Sequence, residues 1–126
     1  MNRAFIFPGQ GSQIVGMAKD FYDNFDEAKS TFKIVDEVLN YKLSDIIFNG
    51  SNEELTLTAN TQPALMAVSI AILRVIIKQS KKNTNELSSF VAGHSLGEFS
   101  ALVAAGALTF EDGLRLVSQR ALAMQK

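Results

Sequence analysis

Apolar positions along the chain come in two short unbroken runs and several spaced stripes. Ala4-Phe5-Ile6-Phe7, stopped by Pro8-Gly9, is the pattern of a strand buried on both faces. The glycines that follow turn the chain toward a helix. Phe21, Phe25, Ala28, Phe32, Val35 and Leu39 then recur in alternating steps of four and three, which predicts one helix with a wet opposite face. Ser44 to Phe48 reads as a short helical turn ended by Asn49-Gly50, and Asn52 as the cap of a turn over Glu53 to Leu57. Asn60-Thr61-Gln62-Pro63 opens the next helix, with Pro63 in the first turn, and that helix runs to about Gln79. The polar stretch Ser80 to Glu86 reads as a surface loop. Leu87 to Ala92 is the second apolar run, and Gly93 to Gly97 follows at once. A helix is expected from about Leu96 to Ala105. Thr109 with Asp112 three residues on forms a capping box for a last helix reaching the chain end. Two buried strands among helices predict part of an open α/β sheet, and two strands leave a parallel sheet incomplete.

Composition narrows the classes. With 126 residues, 47% of them apolar, the chain can build one modest core. A net charge of −1 creates no field to gather nucleic acid or an anionic membrane, and only Lys78, Lys81 and Lys82 lie close together. No nucleic-acid or membrane partner is therefore expected. The absence of cysteine excludes disulfides and thiolate metal sites and fits a reducing, intracellular setting. Too few apolar residues precede Pro8 for a signal peptide. The longest apolar stretch, Pro63 to Ile77, is interrupted by Arg74 and falls short of the roughly 20 residues a bilayer requires. It reads as a buried helix, and the protein as cytoplasmic.

Gly93-His94-Ser95-Leu96-Gly97 matches the G-x-S-x-G nucleophile elbow. The spacing has a steric reason. Serine sits on a sharp strand-to-helix turn, and the two glycines remove side chains that would strike the strand and the entering helix. Ser95 would then face the positive end of a helix, where backbone N–H groups stabilise an oxyanion. A Gly-Ser helix cap without chemistry fits the local pattern too. Glu98 belongs in the first turn of that helix for electrostatic reasons and reads as structural. His94 is the chain's one histidine. A base must come within about 3 Å of the serine oxygen, and adjacent residues on an elbow diverge, so His94 reads as a packing residue. A single histidine without a ligand cluster supports no metal site.

The other glycine loop, Pro8-Gly9-Gln10-Gly11-Ser12-Gln13, has Ile14 where a dinucleotide fingerprint needs its third glycine. Gly11 and Gly16 have P-loop spacing, but Met17 and Ala18 replace the required Lys and Ser/Thr. If this loop and the elbow leave one sheet edge together, the N–H groups of Gln10 and Leu96 converge as an oxyanion hole. An ordinary tight turn fits as well. On the last helix Leu114, Val117, Ala121 and Met124 form the apolar side. Arg115 points to solvent, while Arg120 falls between Leu116 and Met124. Such a guanidinium either snorkels to water or grips a carboxylate bidentately.

Taken in order, Phe7-Pro8-Gly9-Gln10-Gly11-Ser12-Gln13, Gln62-Pro63-Ala64-Leu65, Gly93-His94-Ser95-Leu96-Gly97-Glu98 and Arg120 with Met124-Gln125 resemble the malonyl-CoA:acyl carrier protein transacylase family. The related acyltransferase domains of fatty acid and polyketide synthases share these motifs. The resemblance runs the length of the chain. It implies an α/β-hydrolase-like fold and transfer of malonyl from coenzyme A to the phosphopantetheine thiol of acyl carrier protein, in fatty acid biosynthesis. By the same resemblance Ser95 is the nucleophile, Gln10 and Leu96 supply the oxyanion hole, and Arg120 holds the malonyl carboxylate. Gln62 lines the site, while Gly9, Gly11, Gly93, Gly97, His94 and Glu98 are structural. No permanent cofactor is implied; the coenzyme A thioester is a substrate.

Family members continue into a small ferredoxin-like subdomain and then return to complete the large domain, bringing the catalytic histidine. Residues 1–126 correspond to the N-terminal portion of that large domain. The expectation is an N-terminal piece or a shortened gene product, with an incomplete parallel sheet, exposed apolar strand faces and weak activity alone. A separate C-terminal half would then be a partner. Two other readings stay open: a serine hydrolase or thioesterase, in which water replaces the thiol, and a non-catalytic truncated homologue that only binds partners.

Overall fold

The computed structural model describes residues 3–125. Strand β1 (Ala4–Phe7) is followed by helices α1 (Lys19–Asn24), α2 (Asp26–Leu39), α3 (Leu43–Asn49), α4 (Asn52–Thr56), α5 (Thr58–Ser80) and α6 (Thr84–Leu87). Strand β2 (Phe90–Gly93), α7 (Gly97–Ala104) and α8 (Phe110–Met124) complete the chain. Among the described residues the sheet has two strands, β1 and β2, paired in parallel from Ala4 opposite Phe90 to Phe7 opposite Gly93. The Ser89 N–H donates to the Arg3 carbonyl at 2.8 Å before the pairing, and the His94 N–H to Phe7 at 3.2 Å after it. That register sets the end of β1 directly beside the elbow.

The strands are not buried on both faces. Successive strand residues point to opposite sides. Phe7 is buried and Phe5 and Val91 pack on the core, whereas Ile6 is 75% and Phe90 63% exposed. The helices cover one face and leave the other, with Ile6 and Phe90, open to solvent. An apolar groove of about 280 Å³ runs between β1 and α5, lined by Phe5, Ile6, Val68, Ile72 and Ile76 among others.

The stripe from Phe21 to Leu39 belongs to two helices. Phe25 adopts an extended backbone (φ −132°, ψ 126°), closing α1 and opening α2, whose first turn carries Asp26 and Glu27. Both acids favour a helix N-terminus there. Ser51, not Asn52, caps α4 through a reciprocal bond pair with Glu54. Asn83 and Glu86 do the same for α6, inside the segment expected to be a loop. Helix α5 starts at Thr58, so Pro63 lies in the second turn and leaves the Ala59 carbonyl without its usual helical donor. Thr109 accepts from the Asp112 N–H at 3.1 Å, one half of the expected capping box.

Helix α5 is the centre of the core. By length and hydropathy it could cross a membrane, yet 67% of its most apolar window is buried against the other elements. Its Arg74 stays inside through neutral partners: Nη1 donates to Thr31 Oγ1 at 3.4 Å, and the guanidinium lies 4.8 Å from the Phe110 ring centroid. Burial lowers the Arg74 pKa, and the charge of Glu111 offsets part of that. Ser100 on α7 is less well served. It is fully buried, and its hydroxyl has no hydrogen-bond partner among the described residues. Ser100→Ala should raise stability by about 1 kcal/mol, the scale of a relieved unpaired buried hydroxyl. A urea titration checks this, and a lower midpoint would mean that the hydroxyl does find a partner.

Candidate active site

Ser95 sits between the end of β2 and the start of α7 with a left-handed backbone, φ 54°, rare for a residue with a side chain. The neighbouring glycines permit it. A Cβ on Gly93 would lie 1.9 Å from the Gly97 carbonyl, and one on Gly97 would lie 2.0 Å from the Phe7 oxygen. Strand, turn and helix are thus packed backbone to backbone. The turn is closed by N–H donation from Gly97 to the His94 carbonyl at 3.0 Å and from Glu98 to the Ser95 carbonyl at 3.0 Å. The Leu96 N–H opens α7 and, among the described residues, donates to no protein acceptor.

The first glycine loop comes to the same place. A Cβ on Gly9 would fall 2.4 Å from the His94 oxygen, so only glycine lets this loop lie against the elbow. Gly11 has φ 109°, and its N–H donates to Gln13 Oε1 at 2.8 Å. The Gln10 N–H, like that of Leu96, has no protein acceptor among the described residues. The Gln10 side chain reaches Thr58 at the start of α5.

Arg120 on α8 completes the cluster. Its Nη2 donates to Ser95 Oγ at 3.3 Å and its Nη1 to Gln62 Oε1 at 2.7 Å. An arginine has no acceptor, so the Gln62 amide must turn its oxygen this way. The amide nitrogen then faces Met124 Sδ at 3.1 Å. Gln62 is fully buried, and among the described residues these two partners are what its side chain bonds to. Gln125 Oε1 accepts from the Ala59 N–H at 2.7 Å and ties the end of α8 to the start of α5. Two ion pairs exist among the described residues, Lys19–Asp23 and Arg115–Asp112, and Arg120 belongs to neither. Its positive charge is held by neutral groups beside the serine.

Ser95, Gln62 and Arg120 are therefore bonded together, and the Gln10 loop abuts the elbow. His94 is not brought to Ser95 Oγ; its backbone serves the sheet and its ring lies over Gly9. The Glu98 side chain is exposed at the start of α7, as a first-turn acid. Met124 is not on the buried side of α8 but 54% exposed, and its sulfur accepts from the Gln62 amide. One residue of the cluster carries no sequence motif. Phe99 places its ring 5.4 Å from the Arg120 guanidinium carbon. Nothing in the sequence marked it, because the contact depends on how α7 and α8 cross.

Residues 4–126 match the family described as Acyl transferase domain. The malonyl CoA-acyl carrier protein transacylase of Bacillus subtilis (strain 168) is 53% identical over 117 residues, 93% of this chain and 35% of that protein. Its counterpart from Escherichia coli (strain K12) is 45% identical over 98% of this chain and 38% of its own length. Among solved structures, an acyl-carrier-protein-S-malonyltransferase from Bartonella henselae superposes with a TM-score of 0.95 at 54% identity, over 99% of this chain and 40% of that one. A malonyl-transacylase solved in complex with a type II polyketide synthase acyl-carrier protein gives 0.90 at 46% identity, over 99% and 39%. The chain thus spans little more than a third of the relatives it matches. Over that span it carries the α/β elbow, the glycine loop and the arginine in one frame, and it belongs to the acyl transferase domain family.

Proposed function

We propose that this chain supplies the nucleophile and the acyl-group grip of a malonyl-CoA:acyl carrier protein transacylase. The observation that carries this is Arg120, a guanidinium without a carboxylate partner among the described residues, bonded to Ser95 Oγ. Hydrolysis of a simple ester needs no such cation. A malonyl group, whose free carboxylate lies two carbons from its thioester carbonyl, does.

Ser95 Oγ attacks the thioester carbonyl of malonyl-CoA and loses its proton to a base. The oxygen that becomes negative is held by the free N–H groups of Gln10 and Leu96, which are fixed before the reaction starts. The intermediate collapses as the C–S bond breaks, and the proton passes to the departing coenzyme A sulfur. Malonyl then rests on Ser95 as an ester with its carboxylate on Arg120. The phosphopantetheine thiol of acyl carrier protein attacks that ester, forming the new thioester and returning the proton to Ser95. No hydrogen bond among the described residues joins His94 to Ser95 Oγ, and His94 is therefore not assigned as the base. In a larger α/β domain helices would cover the exposed sheet face at Ile6 and Phe90 and further strands would pair at the sheet edges, and the shorter chain is expected to turn over slowly without them. Setting and partner follow from the same reading: cytoplasmic fatty acid synthesis, with a soluble carrier protein.

The test is the intact mass of the chain after brief exposure to malonyl-CoA, beside Ser95→Ala. A gain of one malonyl group, absent from the variant, is expected. No gain in a chain folded by circular dichroism would mean that this chain does not acylate by itself, and an equal gain in both would overturn the assignment of Ser95.

A further inference from the structure

We infer that Phe99 is a positioning residue for acyl selection: its ring holds the Arg120 guanidinium in the plane that receives the acyl carboxylate. This deepens the transacylase reading and rests on it for the identity of the ligand. Three elements converge on this one side chain. Gln62 of α5 accepts from Nη1 at 2.7 Å, Ser95 of the elbow accepts from Nη2 at 3.3 Å, and Phe99 of α7 lies 5.4 Å from the central carbon. The two hydrogen bonds fix the guanidinium edge but leave it free to tip about that edge. An aromatic face removes this freedom, because the ring quadrupole attracts a cation lying over it.

Phe99 is itself well placed to impose an orientation. It is half-buried, packs on the core, and its N–H donates to the Leu96 carbonyl at 2.9 Å in the first turn of α7. The same turn presents Ser95 and the free Leu96 N–H. Ring, nucleophile and oxyanion donor therefore ride on one rigid segment, and the arginine is aligned to that segment. Arginine side chains carry considerable rotamer freedom. Restricting it before the ligand arrives strengthens binding of a carboxylate without adding a contact to it. A neutral acyl group draws no benefit. Phe99 thus acts on the preference between acyl groups and not on the acylation step itself.

Phe99→Leu keeps the apolar volume and removes the aromatic face; Phe99→Tyr keeps the face. With Ser95 acylation followed by mass, Phe99→Leu should lower the malonyl-to-acetyl labelling ratio about two- to five-fold, the range of a partly exposed cation–π attraction. Acetyl labelling should stay unchanged, and Phe99→Tyr should keep the wild-type ratio. An unchanged ratio in Phe99→Leu would overturn the inference, as would an equal loss of both labels. A second measurement does not depend on acylation: the NMR signal of the Arg120 Nε–H during titration with malonate or acetate. Malonate should move it at lower concentration in wild type and Phe99→Tyr than in Phe99→Leu. If wild type takes no acyl group but this order holds, acylation by this chain alone falls and the positioning role stands. If malonate acts alike on all three, the positioning role falls.

Discussion

Gly97→Ala should destroy the elbow, and with it most of the fold. The added Cβ would lie 2.0 Å from the Phe7 carbonyl oxygen, 2.8 Å from its carbon and 3.2 Å from the Pro8 oxygen. All three are backbone atoms, so no rotamer change relieves the overlap. Strand β1 would have to leave β2 or α7, although β1 already has a neighbour on one edge only. Gly93→Ala meets the Gly97 carbonyl at 1.9 Å and should behave alike. We expect each to cost more than about 3 kcal/mol, beyond ordinary overpacking, against a total domain stability of about 5–15 kcal/mol. Two alanine variants separate this from glycine loss in general. At Gly113 the new Cβ meets side chains, Val103 Cγ2 at 2.7 Å and Met66 Sδ at 3.2 Å, which can shift. At Gly11 it meets nothing within 4 Å, and only the φ of 109° opposes it. Urea midpoints should therefore fall furthest for Gly97→Ala and Gly93→Ala. A Gly97→Ala midpoint matching that of Gly11→Ala would refute the backbone-to-backbone packing at the elbow.

These glycines were legible in the sequence because their requirement is local. A serine on a tight strand-to-helix turn needs bare neighbours at fixed spacing, and five residues state that completely. Arg120 was legible in part: its place beside an apolar stripe raised the question of a partner, but the wheel could not say that Gln62, 58 residues earlier, would meet it. Phe99 was invisible for the same reason, since its contact with Arg120 depends on how α7 and α8 cross. The break at Phe25 escaped because the apolar spacing runs through it unchanged, while the backbone alone departs from helix. Strand burial was misjudged for a different reason. Residue types report the environment of a sheet covered on both faces, and Ile6 and Phe90 are apolar whether or not helices cover them.

Replacing Arg120 by alanine should reverse the preference between acyl groups. Its guanidinium is the positive charge bonded to Ser95, and removing one side of a close charge pair typically costs about 2–5 kcal/mol. Malonyl labelling of Ser95 should then fall at least about 30-fold, the lower end of that range, while acetyl labelling persists. Lysine at 120 should recover only part of the loss, because a point charge cannot bond Gln62 and grip a carboxylate with a planar fork at once. The same substitution has a consequence in the folded chain. Gln62 is fully buried, and Arg120 is the donor to its Oε1. Arg120→Ala leaves that oxygen unpaired, at a cost of about 1–3 kcal/mol. Adding Gln62→Leu removes the orphaned group, so the double variant should unfold at a higher urea concentration than Arg120→Ala alone. Its malonyl labelling should stay low. Stability and selectivity then separate: the pair with Gln62 supports the fold, and the charge chooses the acyl group. Recovery of malonyl labelling in the double variant would show that Arg120 acts through packing, and the carboxylate grip would have to be sought elsewhere.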